Sequence, residues 1–389
     1  MSQELRVGVN LLWLLPGAVG GSEEYTTRAL RGLAELAPPE LQVTLFALDG
    51  FVDAHPDLAA AFPTVTAGVD GRSRARRVAA EATWLARAAR RASIDLLHHA
   101  GGVVPPGPAV GRFPSVLTIH DLQPLVLPEN FRPVKRRWLH AMIPRSARRA
   151  RMILTPSDPA SASVVERLGV APERVMTVPH GIETPPPVAP DRLDEVRRRY
   201  RLDGPVVLYP AIPYRHKDHA TLVRAFARVA AARPDATLVL PGGTERDEAG
   251  LAAVIRATGR GDQVRRTGRI GWDDLHALYA LATVVAVPSR FEGFGAPALE
   301  AMAAGVPVVA ADATALPWVV GDAGVLVAVG DEGAWAEALA RLLDDPGERR
   351  RLIAAGHDRA ATFTWERSAA ALAAAYRRAA RVGEDDLPS

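Results

Sequence analysis

Short apolar, β-branched runs alternate along the whole chain with longer stretches in which apolar residues recur at helical spacing. In the first half the runs at 5–12, 41–48, 94–98, 115–120, 151–155 and 175–178 read as strands. In the second half the matching runs are 205–210, 236–240, 264–267, 283–287, 306–310 and 324–328. Helix-length stretches lie between them, among them 22–36, 158–168, 217–232, 273–281 and 331–344. A run that is apolar on both faces belongs inside a parallel sheet, because a strand with one wetted face alternates. Strand–helix alternation then gives a parallel sheet covered by helices on both sides. Two such sets predict an α/β chain of two doubly wound, Rossmann-like domains.

The junction is visible in GIETPPPVAPD, residues 181–191, the most proline-dense part of the chain. Proline lacks an N–H and fixes φ, so this segment excludes a helix or a central strand. It reads as a semi-rigid connector. The expected boundaries are an N-terminal domain over 1–182, a second domain over 192–365, and a closing helical segment over 366–389. The helical pattern itself runs over 365–382, and whether it returns to the first domain is left open by the pattern. Ligands of open α/β sheets bind beyond the carboxyl ends of the strands. Two domains facing one another therefore predict a cleft between them.

Composition narrows the function classes. The 389 residues are 48% hydrophobic with a mean hydropathy of +0.02, enough to fill two cores and too apolar for a disordered chain. No apolar run reaches the roughly 18 residues of a membrane span. The start, MSQELRVGVNLLWLL, has no basic leader and does not read as a secretory signal, so the cytoplasm is the expected compartment. Cysteine is absent, which excludes disulfides, thiolate catalysis and Cys-ligated metals.

Net charge is only +3, and the cations are almost all arginine: Lys135 and Lys217 are the two lysines in the chain. A lysine that survives such a bias at a motif position stands out. Arginine is concentrated at 71–93 and 132–152, together with Trp84, Trp138 and Met142. These stretches read either as solvated helix faces or as a peripheral contact with an anionic surface, such as a membrane or an acidic acceptor. No nucleic-acid-binding motif accompanies the charge.

The densest chemistry lies in SRFEGFGAPALEAMAAGVPVVAAD, residues 289–312. A strand ends at Pro288, and a glycine turn leads into a helix that starts near Pro297. The amides of Phe294, Gly295 and Ala296 then lie at a helix N-terminus, which favours phosphate. Glu292 precedes the turn and Glu300 lies about one turn inside the helix, so both can face one pocket. Carboxylates there suit hydroxyls of a sugar or ribose rather than phosphate. Lys217, in YRHKDH after the strand at 205–210, can neutralise a departing diphosphate. His120 ends the strand at 115–120 and points into the cleft, and Asp121 either caps the next turn or takes part. His98 and His99 end a neighbouring strand. With His120 and Asp121 they imitate a metal cluster, but no helix-spaced ligand pair supports one, and no metal is assigned. Gly20 and Gly21 precede Ser22, a candidate cap for the next helix with Glu23 and Glu24 in its first turn. GAVGGS is not a dinucleotide fingerprint, and no P-loop is present.

The Glu-x7-Glu element of FEGFGAPALE, followed by EAMAAGVPVV, resembles family 4 of the retaining glycosyltransferases, which have the GT-B fold. The resemblance extends to GAVGGSEEYTTRAL, LTIHDLQPLVLPENF, ILTPSDPASASVVERLGV, VMTVPHGIE, LYPAIPYRHKDHATLVRAF, VRRTGRIGWDDLHALYALATVVAVPSRFEGFG and TALPWVVGDAGVLV, in that order. It implies metal-independent transfer of a hexose or deoxyhexose from a nucleotide diphosphate sugar, as co-substrate, to a hydroxyl of a glycan, lipid-linked or natural-product acceptor. GDP-mannose leads over UDP- and dTDP-sugars.

By the same resemblance Glu300 holds the donor ribose, and Glu292 holds hydroxyls of the moving sugar and supports its developing charge. His120 contacts the sugar near the anomeric carbon. Arg269 and Ile270 lie against the base, and the Gly20–Gly21 loop lies near the diphosphate and acceptor. The acceptor falls near His99, Gly101 and Gly102. Two departures stand out. Ile212 occupies what looks like an arginine position, with Arg215 the candidate substitute, and Trp318 stands where the family usually has Glu. A glycosyl phosphorylase or a sugar-nucleotide epimerase shares the fold, and a silent partner subunit would tolerate both departures. A two-lobed solute-binding protein would carry an export signal.

Overall fold

The computed structural model describes residues 4–18, 20–243 and 248–381, which form two compact units. The first comprises residues 1–181 and 365–389, the second residues 182–364. Each unit is built on one sheet in which every pairing is parallel.

Unit 1 holds β1 (Leu5–Asn10), β2 (Leu41–Ala47), β3 (Thr64–Thr66), β4 (Leu96–His99), β5 (Ser115–Thr118), β6 (Met152–Thr155) and β7 (Val175–Thr177). Their order is β3-β2-β1-β4-β5-β6-β7. Side chains alternate between two helix layers, as the two-residue period of a strand requires. Val7, Val9, Leu45, Leu96, Val116 and Leu154 join one core, while Phe46, Leu97, Leu117 and Ile153 join the other. Fully burying a side chain of this size contributes about 1.5–3 kcal/mol. The first core includes Leu372, Ala373 and Tyr376 of the closing helix Trp365–Arg381, which packs on the helix Gly21–Leu36. Gly32 permits that approach, because a Cβ there would sit 2.9 Å from the Trp365 carbonyl oxygen.

Unit 2 holds β8 (Val206–Leu208), β9 (Thr237–Pro241), β10 (Val264–Gly268), β11 (Val284–Val287), β12 (Val308–Ala311) and β13 (Val325–Val327), in the order β10-β9-β8-β11-β12-β13. One core built around Phe226, Leu299 and Trp335 fills the unit.

The differences from the sequence reading have local causes. β1 stops at Asn10 because its side-chain Oδ1 takes the Leu12 amide at 3.1 Å and turns the chain. β5 stops at Thr118, so His120 lies two residues beyond the strand. β3 was not expected: it is a three-residue edge strand with no fully buried side chain and therefore no apolar run to reveal it. The connector is irregular only as far as Ala189, and Pro190 opens a helix over Pro190–Tyr200, where its missing N–H costs nothing. Ser22 does not cap the first helix. Gly20 occupies the cap position at φ 75°, and Glu23 instead accepts the Gly17 amide at 2.9 and 3.1 Å. Lys217 precedes the helix assigned to it, because Asp218 at φ 49° separates the turn Arg215–Lys217 from the helix His219–Ala232.

The arginine-rich stretches fold as helices, the second over Pro133–Arg149 with Val134 exposed. Arg74 lies over the Trp138 ring at 5.6 Å. Among the described residues no helix is long and apolar enough to cross a membrane.

Candidate functional site

In unit 2 the sheet order reverses between β8 and β11, so the loops that follow these strands diverge and leave a crevice. Lys217 arrives on the first loop and Glu292 on the second. Lys217 Nζ donates to Glu292 Oε1 at 2.6 Å, with side-chain exposures of 19% and 11%. Tyr209, directly after β8, is fully buried and fixes both loops. Its hydroxyl donates to the Lys217 carbonyl at 3.1 Å and lies 2.7 Å from Ser289 Oγ. Burial first, and the Glu292 charge second, push the Tyr209 phenol well above its ordinary range, so it stays a neutral donor.

Two further contacts set the Glu292 loop. The Glu292 amide donates to Thr314 Oγ1 at 2.9 Å, and the Arg290 amide donates to the His216 carbonyl at 2.7 Å. Arg290 Nε also reaches Asp218 Oδ2 at 2.9 Å, an oxygen that Thr221 Oγ1 shares at the same distance. His216 is held near 4, by burial first and the Lys217 charge second, against an upward pull from Glu292. It is therefore neutral at pH 7, and Lys217 is the cation that faces Glu292.

The helix Ala296–Ala303 starts where the sequence placed it, one residue before Pro297, with Gly295 at its cap. Gly295 has φ 104°, and a Cβ there would lie 2.7 Å from Leu316 Cδ2, so both backbone and space call for glycine. Phe294 is buried edge-on against Trp318 and Phe363 at 6.2 and 5.7 Å. Trp318 therefore has a packing role at the position where the resemblance expects Glu. Glu292 and Glu300 have separate partners: Glu300 Oε2 accepts from the Tyr279 hydroxyl at 2.6 Å. Arg215 and Arg269 are exposed, while Ile212 and Ile270 are half-buried, Ile270 against the unit 2 core.

In unit 1 the order reverses between β1 and β4. His99, at the end of β4, is fully buried and lies beside Asn10 of β1, its Nδ1 3.4 Å from Asn10 Nδ2. His98 is spent on structure, between the Tyr376 hydroxyl at 2.8 Å and Thr118 Oγ1 at 2.7 Å. His120 Nε2 lies 3.1 Å from the Ala100 carbonyl oxygen, and its ring meets Tyr25 edge-on at 5.4 Å. Asp121 Oδ1 caps the next turn by accepting the Gln123 amide at 2.8 Å. Gly101 packs against Trp13, where a Cβ would fall 2.4 Å from the indole, and Gly102 turns the chain at φ 82°. Gly20 and Gly21 start the Gly21–Leu36 helix in open space. Burial holds His98, His99 and His180 near 3 and His120 near 4, so this end of the sheet offers neutral imidazoles. Among the described residues no group of three His, Cys, Asp or Glu side chains could hold a metal.

Sequence reasoning did not single out Tyr209, Ser289, Thr314 or Tyr279, which position the acidic and basic groups. Tyr209 lies directly after β8 and Ser289 two residues after β11, and that placement at the carboxyl ends of buried strands was the available signal.

Comparison with known proteins identifies the family. The family described as Glycosyltransferase Family 4 matches residues 19–185, and that described as Glycosyl transferases group 1 matches residues 194–359. The MMP alpha-(1->4)-mannosyltransferase of Mycolicibacterium hassiacum is 34% identical over 281 residues, covering 69% of this chain and 66% of the relative. A D-inositol 3-phosphate glycosyltransferase of Salinispora tropica is 36% identical over 236 residues, covering 56% and 49%. The chain thus spans between about half and two thirds of these relatives' lengths. Among solved structures, Anabaena HepE in complex with UDP and glucose superposes with a TM-score of 0.72 at 21% identity, covering 95% of this chain and 99% of the other. That likeness is one of fold, the GT-B fold of two Rossmann-like domains. With one description covering most of the first sheet's sequence and the other most of the second's, in order and without overlap, the chain belongs to the family 4 (group 1) glycosyltransferases.

Proposed function

We propose that the chain is a retaining glycosyltransferase that moves a hexose, mannose before others, from a nucleotide diphosphate sugar to an acceptor hydroxyl. The observation that carries this reading is the Lys217–Glu292 pair at the β8–β11 reversal, beside a helix whose amino end is opened by Gly295. Such a site has a lysine ammonium for a diphosphate, a run of amides for its oxygens and a carboxylate for sugar hydroxyls. The mannosyltransferase relative supports mannose, and GDP is the nucleotide the reading favours.

In this reading the diphosphate rests on Lys217 and the amides of Phe294, Gly295 and Ala296. Glu292 then exchanges its partner for hydroxyls of the moving sugar. Glu300, oriented by Tyr279, takes the ribose hydroxyls, and Arg269 and Ile270 lie against the base. The sugar–phosphate bond breaks as the acceptor oxygen bonds to the anomeric carbon from the same face. The acceptor proton passes to the departing phosphate oxygen, and Lys217 balances the charge that develops there. In this reading the acceptor binds in unit 1, near His120, His99, Gly101 and Gly102.

The test is calorimetric titration with GDP, UDP and dTDP, followed by NMR of the glycoside formed. Binding of GDP that falls at least tenfold in Lys217→Ala and in Glu300→Ala, with an α-linked product from an α-linked donor, supports the reading. A nucleotide that binds all three proteins equally, or an inverted product, overturns it.

A further inference from the structure

Asn10 and His99 are register partners on adjacent strands at the one place in unit 1 where strand order reverses. Open α/β sheets bind ligands at such a reversal. A carboxyl group reaches it from far away in the chain: Glu81 Oε1 accepts from Asn10 Nδ2 at 3.3 Å. Glu81 belongs to a single π-helical turn, Ala80–Trp84, set into the helical stretch that runs from Arg74 to Arg91. One such turn inside an α-helix shifts the residues after it around the axis and is often found at functional sites.

The surroundings define what this carboxyl group can take. Trp13 packs on Gly101, its carbonyl accepts from Arg77 Nη1 at 3.2 Å, and the Arg77 charge acts on the Glu81 carboxyl group. His99 Nε2 and Trp13 Nε1 are buried with no hydrogen-bond partner among the described residues. Buried donors of this kind are rare, and an unpaired one calls for an explanation. The imidazoles contribute no positive charge at neutral pH, since burial keeps them unprotonated. A carboxyl group already balanced by Arg77 and two unpaired N–H-bearing rings suit hydroxyls far better than phosphate.

We propose that the β1–β4 reversal is a subsite for adjacent hydroxyls of a neutral polyol, a sugar or cyclitol end of the acceptor. Glu81 accepts from those hydroxyls, and His99 and Trp13 move slightly to donate to them. This rests on the reading of unit 1 as the acceptor side, and it makes Glu81 a specificity-determining residue.

The test uses the full chain and saturation-transfer NMR with methyl α-mannopyranoside, myo-inositol and inorganic phosphate, beside a separate GDP titration. The expected result is binding of at least one of the two polyols, weakened fivefold or more in Glu81→Gln, with no competition from phosphate. Trp13→Phe, which removes the indole N–H together with part of the ring that packs on Gly101, is expected to weaken it about twofold to fivefold and serves if Glu81→Gln does not fold. No polyol binding by the wild type, equal binding by the variants, or displacement by phosphate overturns the subsite. Loss of GDP binding with polyol binding intact would count against the donor reading alone. Intact GDP binding without polyol binding would count against this subsite alone.

Discussion

Lys217 and Glu292 lie 75 residues apart in the chain, yet their charges meet at 2.6 Å across the reversal of the second sheet. Each is the other's counter-charge in a site that excludes most water. Removing Lys217 leaves a largely buried carboxylate without its cation, which is more costly than losing the attraction itself. Lys217→Ala is expected to lower stability by about 1–3 kcal/mol and to reduce kcat by on the order of 10²–10³. Denaturant unfolding and donor-saturated rates check the two effects separately. A variant with full stability and full rate would leave the pair without a function.

Tyr209 joins the two loops that present this pair. Tyr209→Phe removes the donor to Lys217 and the contact with Ser289 while keeping the ring in its core. A loss of about 1–2 kcal/mol in stability is expected, with nucleotide affinity weakened more than tenfold as the loops loosen. Calorimetry with GDP would show it, and unchanged affinity would place the positioning elsewhere.

Gly295→Ala tests the helix start. The substitution puts a Cβ against Leu316 and a non-glycine residue at φ 104°, at a cost of about 1–3 kcal/mol. Adding Leu316→Ala opens space without relieving the backbone. The double variant should therefore recover nucleotide binding only partly, and full recovery would show that crowding alone mattered.

Acid sensitivity should come from the buried histidines. Unfolded histidine titrates near 6.5, whereas His98 and His99 titrate near 3 in the fold. Between those values the unfolded chain binds more protons than the folded one, so stability is complete above about pH 6.5 and falls as pH drops below it. The slope approaches about 1.4 kcal/mol per pH unit for each such group. His98→Gln should flatten the stability profile between pH 6.5 and 5 measured by urea unfolding. An unaltered slope would remove His98 from the account.

Strands such as β6, β8, β11 and β12 were legible because they are buried on both faces and therefore read as unbroken apolar runs. Among the described residues twelve of the thirteen strands coincide with a segment read as a strand, apart from end residues, although β10, VRRTG, carries two arginines and is only half-buried. β3 escaped because an exposed three-residue edge leaves no such run. In the candidate site, Lys217 and Glu292 stood out by residue type and motif. The groups that hold them did not, because a tyrosine after a strand looks like core until its hydroxyl is seen to meet Ser289. Glu81 was hidden more deeply. It lies 71 residues from Asn10 inside an arginine-rich helical stretch, where a glutamate reads as one more surface charge, and no sequence pattern announces a π-helical turn.

The helix Trp365–Arg381 belongs to unit 1, although unit 2 is written entirely between it and the rest of that unit. During synthesis the first sheet emerges early but must wait for the last helix to cover Tyr25, Leu30 and Leu33. At about 5–20 residues per second, the intervening segment takes on the order of ten seconds or more to be made. The second domain, an unbroken stretch of chain, can finish folding while the first still exposes an apolar face on the ribosome. Premature termination near residue 364 would thus release a product with one finished domain and one sticky, incomplete one, a natural substrate for chaperones and proteases.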